Sequence, residues 1–134
     1  MGVVYLTRKA TFAASHRYYD PRRSEEENGR LFGRCVNLHG HNYVLAVTVT
    51  GEVDETTGMA VDLKELKEII EGAVVRRFHT SHLNDAPEFQ GRIPTTENLA
   101  RVIWRLLKPR LNRCQLHRIT LHEDPTLYVE YFGE

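Results

Sequence analysis

Residues Asn42 to Thr50 carry the pattern that most restricts how this chain can fold. Tyr43, Leu45, Val47 and Val49 alternate with smaller or more polar neighbours, the period-two signature of a strand with one face in a core. The opening segment, Val3 to Ser15, is rich in Val, Tyr, Thr and Phe and also reads as a strand. Two further strands are expected at Gln115 to Glu123 and Thr126 to Phe132, joined by a turn at Asp124-Pro125. Between these pairs the period changes. Leu63, Leu66, Ile69, Ile70, Ala73 and Val74 form one face of a helix over 62–77, started by Asp62 with Glu65 in capping-box spacing. A second helix begins at Thr95 or Thr96, presents Leu99, Val102, Ile103, Leu106 and Leu107, and stops at Pro109. Arg17 to Arg34 reads as a long loop with at most one helical turn, and Phe78 to Pro94 as irregular.

The order is β, long loop, β, α, α, β, β. Short connections favour antiparallel pairing, so the expected class is α+β: a four-stranded antiparallel sheet with two helices on one face. Two helices cover such a sheet only in part. The remaining surface faces solvent or another subunit, and the long apolar strands favour the subunit.

The 134 residues make one domain, 1–134, by length. Eighteen basic and eighteen acidic side chains cancel, which argues against nucleic acid or a membrane surface as partner. No apolar run approaches a membrane span. Only Cys35 and Cys114 occur, which is no disulfide framework, so a reducing cytoplasm is expected.

Three of the seven histidines stand out. In His39-Gly40-His41 an extended backbone puts both rings on one face, and His16 closes the first strand. Three imidazoles there would make a metal site with an open fourth position, the pattern of catalytic zinc. Cys35, four residues before His39, has three readings: a fourth ligand, a thiolate acting as base, or a small buried hydrophobe. Glu123 shares parity with Ile119 and Leu121. Either the strand has ended there and Glu123 is solvated, or its carboxylate accepts two hydrogen bonds from an amidine-like edge such as that of a pterin or guanine.

Taken in order, Phe12-Ala13-Ala14-Ser15-His16, Leu31-Phe32-Gly33-Arg34-Cys35, Leu38-His39-Gly40-His41-Asn42-Tyr43, Gly58-Met59-Ala60-Val61-Asp62-Leu63 and Pro94-Thr95-Thr96-Glu97-Asn98-Leu99-Ala100, with Glu123 after them, resemble the 6-pyruvoyltetrahydropterin synthase / 6-carboxytetrahydropterin synthase family. The resemblance implies the tunnelling fold, in which three subunits close a twelve-stranded barrel and two trimers stack into a homohexamer. It implies Zn2+ on His16, His39 and His41, Cys35 as the proton-abstracting base, Glu123 as the pterin anchor, and Thr95, Thr96 and Glu97 near the pocket at a subunit interface. The implied substrate is the small molecule 7,8-dihydroneopterin triphosphate.

One segment departs from the family. An Asp-His pair usually supports the cysteine, and Phe78-His79-Thr80-Ser81-His82 contains none. Counted back from Pro87, His79 takes the histidine's place and is the expected relay; counted back from Leu83-Asn84, Thr80 takes it. The single residue between Leu38 and Gly40 is like the bacterial form, whose product is 6-carboxytetrahydropterin for queuosine synthesis. The long loop from Arg17 to Gly33 is like the pyruvoyl form. The carboxy product is the expectation, the pyruvoyl product its rival, and a non-catalytic pterin- or metal-binding protein the alternative in another class.

Overall fold

Residues 2–134 are described by a computed structural model. Its frame is a long hairpin. Strand β1 (Val3–His16) runs antiparallel to β2 (His39–Glu52), in register from Val3↔Glu52 to His16↔His39. Alternation sends Phe12, Ala14 and His16 of β1, and Tyr43, Leu45, Val47 and Val49 of β2, to one buried face. β4 (Gln115–Asp124) adds Ile119 and Leu121 to that face, and β5 (Leu127–Tyr131) forms the outer edge. The opposite face is mixed: Thr7 hydrogen-bonds Thr48 there at 2.7 Å, Lys9 and Thr11 are exposed, and Ala46 is buried.

The sheet has five strands, not the four expected. A two-residue strand, β3 (Ser81–His82), lies parallel to β1 at Ala14 and Ser15, giving the order β3-β1-β2-β4-β5. Two residues are too few for any alternation to be read from the sequence. The four long strands pair antiparallel as expected.

The segment expected to be a loop contains a helix, α1 (Glu25–Phe32), a third beside the two expected, among the described residues. It has no apolar stripe to announce it. Local bonding builds it instead: Ser24 and Glu27 form a reciprocal capping box, and buried Asn28 bonds the carbonyls of Asp20 and Ser24 at 3.0 and 2.9 Å. The two expected helices are present. α2 (Leu63–Ile70) starts at Asp62, whose carboxylate accepts from the N–H groups of Lys64 and Glu65. It continues through a π turn (Glu71–Val75) and a last turn (Arg76–Phe78). α3 (Thr96–Leu107) starts at Thr95. Leu66, Ile70, Val74 and Phe78 from the first, with Leu99, Ile103 and Leu107 from the second, lie in one core with the buried strand face. Each fully buried side chain of this size contributes roughly 1.5–3 kcal/mol. No helix among the described residues is long and apolar enough to cross a membrane.

Candidate active site

The ends of β1 and β2 carry three histidines on the core face. His16 pairs with His39 across the strands, and His41 faces Ala14 two residues further in. The helices cover Phe12, Tyr43 and Leu45 but leave this end of the sheet partly open, so His39 and His41 are half-buried while His16 is fully buried. One ring nitrogen from each lies within 4.8 Å of the other two.

Backbone carbonyls aim two of the rings. His16 Nδ1 lies 2.7 Å from the Pro94 carbonyl, and His39 Nδ1 lies 2.7 Å from that of Asn37. A carbonyl only accepts, so each Nδ1 carries a proton, which in a neutral ring leaves the lone pair on Nε2. This is how metal-binding imidazoles are commonly oriented. His16 Nε2 is buried with no hydrogen-bond partner among the described residues, a costly arrangement unless something else binds it. Burial, with His39 and His41 nearby, pushes the His16 pKa down to about 4 against the opposing Pro94 bond. The ring is therefore neutral at pH 7, the form that ligates. Donor type, number and convergence all fit a divalent metal such as zinc.

Glu123 stands beside this cluster. The strand has not ended there: β4 runs to Asp124, and the Glu123 side chain is only 16% exposed. One carboxylate oxygen lies 3.9 Å from His41 Nε2, and the other accepts the hydroxyl of buried Thr96. Tyr18 joins them. Burial first, then the charges of Glu123 and Glu97, push its phenol up to about 12, and a hydrogen bond from the Thr96 backbone pulls the other way. Buried Tyr43 lies beneath, its hydroxyl 3.5 Å from His16 Nδ1, and its phenol is raised by burial and by Glu123.

The start of α3 thus organises the site. Thr95 caps the helix by accepting from Asn98 N–H, Asn98 in turn holds the Ile93 carbonyl at 2.8 Å, and Pro94 and Thr96 reach His16 and Glu123. Glu97 is exposed at the rim. Tyr18 and Pro94 are site residues that the motif reading missed. The spacing of Tyr18, two residues beyond His16, was the available signal; a backbone carbonyl leaves none.

Cys35 lies in a 3₁₀ turn (Gly33–Val36), half-buried and outside the three-histidine group. Its carbonyl accepts the Tyr18 N–H at 2.7 Å, which ties its turn to the segment after His16. His79 is exposed at the end of the last turn of α2, and its Nδ1 accepts from the Ala13 N–H at 3.1 Å. Thr80 follows with φ 59°, uncommon for a β-branched residue, and donates its N–H to the Ala13 carbonyl. His82 is half-buried, with Nδ1 3.0 Å from Ser15 Oγ. A groove of about 530 Å³ beside β3 is lined by Ser15, Gly40, His41, Thr80 and His82.

The family model for 6-pyruvoyl tetrahydropterin synthase matches residues 5–134. A 6-pyruvoyl tetrahydrobiopterin synthase of Dictyostelium discoideum is 43% identical over 132 residues, covering 98% of this chain and 97% of that protein. A 6-carboxy-5,6,7,8-tetrahydropterin synthase of Bacillus subtilis is 27% identical over 103 residues, covering 74% and 70%. The solved Caenorhabditis elegans 6-pyruvoyl tetrahydropterin synthase superposes with a TM-score of 0.93 at 35% identity, covering 100% of this chain and 98% of that one. With a match that spans the sheet, the three histidines and Glu123, this chain belongs to the 6-pyruvoyl tetrahydropterin synthase family.

Proposed function

We propose that this chain is a zinc-dependent lyase acting on 7,8-dihydroneopterin triphosphate, with loss of triphosphate. The observation that carries the reading is the buried, unpartnered Nε2 of His16, set among two further imidazoles and beside a carboxylate held by Thr96. His16, His39 and His41 would hold the zinc, which supplies Lewis acidity towards the hydroxyls of the substrate side chain. Glu123 accepts the N–H and NH₂ edge of the pterin ring, and Thr96 keeps the carboxylate turned to receive it. Cys35 takes the proton from the side-chain carbon on Sγ. Tautomerisation then moves two reducing equivalents from the side chain into the ring, and the C–O bond to triphosphate breaks. Thr95 and Glu97 form the rim of the pocket at a subunit interface.

The relay that supports Cys35 falls to His79 or His82. His79 offers an exposed Nε2, its Nδ1 being taken by the Ala13 N–H. His82 shares the groove with His41. That occupied Nδ1, with the absent Asp-His pair, also motivates the second reading: a member that binds pterin without turning it over. Of the two products, the pyruvoyl one is favoured. The relative of that name is 43% identical over nearly the whole chain, against 27% over a shorter stretch for the carboxy relative.

The assembly proposed is a trimer or a dimer of trimers. Among the described residues β5 and most of β1 have no neighbour on their outer sides, and exposed Val3, Tyr5, Leu127 and Tyr128 lie on those edges. Edges of this kind invite pairing between copies. The two free cysteines suit a reducing cytoplasm.

Incubation of the zinc-loaded protein with 7,8-dihydroneopterin triphosphate, followed by mass analysis, decides the reading. The expected products are 6-pyruvoyltetrahydropterin and triphosphate. A carboxy product would reassign the reaction, and unchanged substrate with retained pterin binding would establish the binder.

A further inference from the structure

Beyond the histidines a second cavity, of about 300 Å³, opens between the segment after His16 and the segment before Pro94. Its charged lining is Arg17, Arg22, Arg92 and Asp20, three cations and one anion, in a chain whose formal charge sums to zero.

Two of the guanidinium groups are already held by neighbours. Arg17 donates its Nε–H to the Val36 carbonyl at 2.8 Å and lies 4.1 Å above the Tyr19 ring. Arg22 binds both oxygens of Asp20 through Nε and Nη2 at 3.1 and 3.2 Å. Asp20 is itself buried, its backbone N–H held by Asn28 at 2.7 Å. The aspartate is thus spent on orienting Arg22 and offers little repulsion to an anion. Arg92 is exposed, and among the described residues neither it nor Arg17 has a carboxylate partner. Fixed guanidinium planes with free N–H groups match phosphate oxygens in both shape and charge.

The cavity is joined to the histidine site by the chain itself. Arg17 follows His16 directly, and its guanidinium sits on the residue after Cys35. Arg92 is two residues from Pro94, whose carbonyl holds His16, and two residues reach at most about 7 Å. The backbone at both walls of the cleft thus adjoins a residue of the histidine site: His16 itself on one side and Pro94 on the other.

We infer that the Arg17–Arg22–Arg92 cleft is the subsite for a polyphosphate, and that it receives the triphosphate arm of the substrate. The second half of this statement rests on the pterin reading above; the first half does not.

Titration of the metal-loaded protein with inorganic triphosphate tests it. Each of Arg92→Ala and Arg22→Ala should weaken binding about tenfold, since a hydrogen bond to a charged group is typically worth about 1.5–3 kcal/mol. Arg101→Ala removes the same charge from an exposed site on α3 and should change binding less than twofold. No binding to the wild type, equal loss in Arg101→Ala and Arg92→Ala, or loss in His41→Ala with none in Arg92→Ala would each overturn the cleft; the last would put the ion on the metal. Triphosphate binding that depends on Arg92 in a protein that neither binds nor turns over the pterin would uphold the cleft and overturn the pterin reading.

Discussion

His16 and Pro94, 78 residues apart, meet in a buried 2.7 Å hydrogen bond that sets which imidazole nitrogen faces the other two histidines. The bond ties the end of the first strand to the start of the last helix. It leaves His16 Nε2 with no partner of its own. A metal is the natural occupant, because an orphaned buried nitrogen otherwise costs about 1–3 kcal/mol.

Wild-type protein should therefore carry about one zinc per chain by elemental analysis. His41→Ala removes one of three ligands and should weaken zinc binding by more than the roughly 10–100-fold typical of second-layer changes. Equal zinc in both proteins would sink the ligand assignment.

Cys35 lies outside the histidine group, so Cys35→Ala should keep its zinc. Loss of a general base typically costs about 10²–10⁴-fold in rate, and turnover should fall by at least that much. Metal loss in this variant would make Cys35 a ligand rather than a base.

Thr96→Val preserves shape and removes the hydroxyl that Glu123 accepts. The carboxylate loses a charge-assisted bond, worth about 1.5–3 kcal/mol, and KM for the pterin substrate should rise about tenfold or more. Glu123→Gln should raise it further. A KM unchanged in both variants would remove Glu123 from substrate binding.

His79→Ala deletes an acceptor from the edge of β1. Loss of that bond should lower stability by about 1 kcal/mol in thermal unfolding. If His79 is also the relay, turnover falls while His82→Ala stays active; the reverse pattern moves the relay to His82.

Asp20 gives the clearest pH dependence away from the metal site. Its side-chain and backbone bonds to Arg22, with the charges of Arg22 and Arg23, hold its pKa below the usual carboxylate value. The unfolded chain therefore takes up this proton first as pH falls. The stabilisation is full above about pH 4, near the unfolded value, and is lost as pH drops through the lower folded one. Between those limits the wild-type Tm should fall more steeply with acid than that of Asp20→Asn. Parallel curves would refute the coupling.

Much of this was readable from residue order. Alternation in Asn42 to Thr50 set the strand and its buried face, and with them the common face of His39 and His41, because side-chain direction in a strand depends only on parity. Apolar spacing likewise set both long helices, and Asp62 and Thr95 marked their starts. The carboxylate at Glu123 was visible as a break in an apolar face. Tertiary structure decided what depends on contacts distant in sequence. α1 rests on Asn28 and a capping box rather than on an apolar stripe. β3 exists only because β1 offers Ala14 and Ser15 as partners. The Pro94 carbonyl carries no side-chain identity, so its hold on His16 left no mark in the sequence. The same is true of the cleft: Arg17, Arg22 and Arg92 are ordinary surface arginines until the fold sets residue 92 beside residue 17.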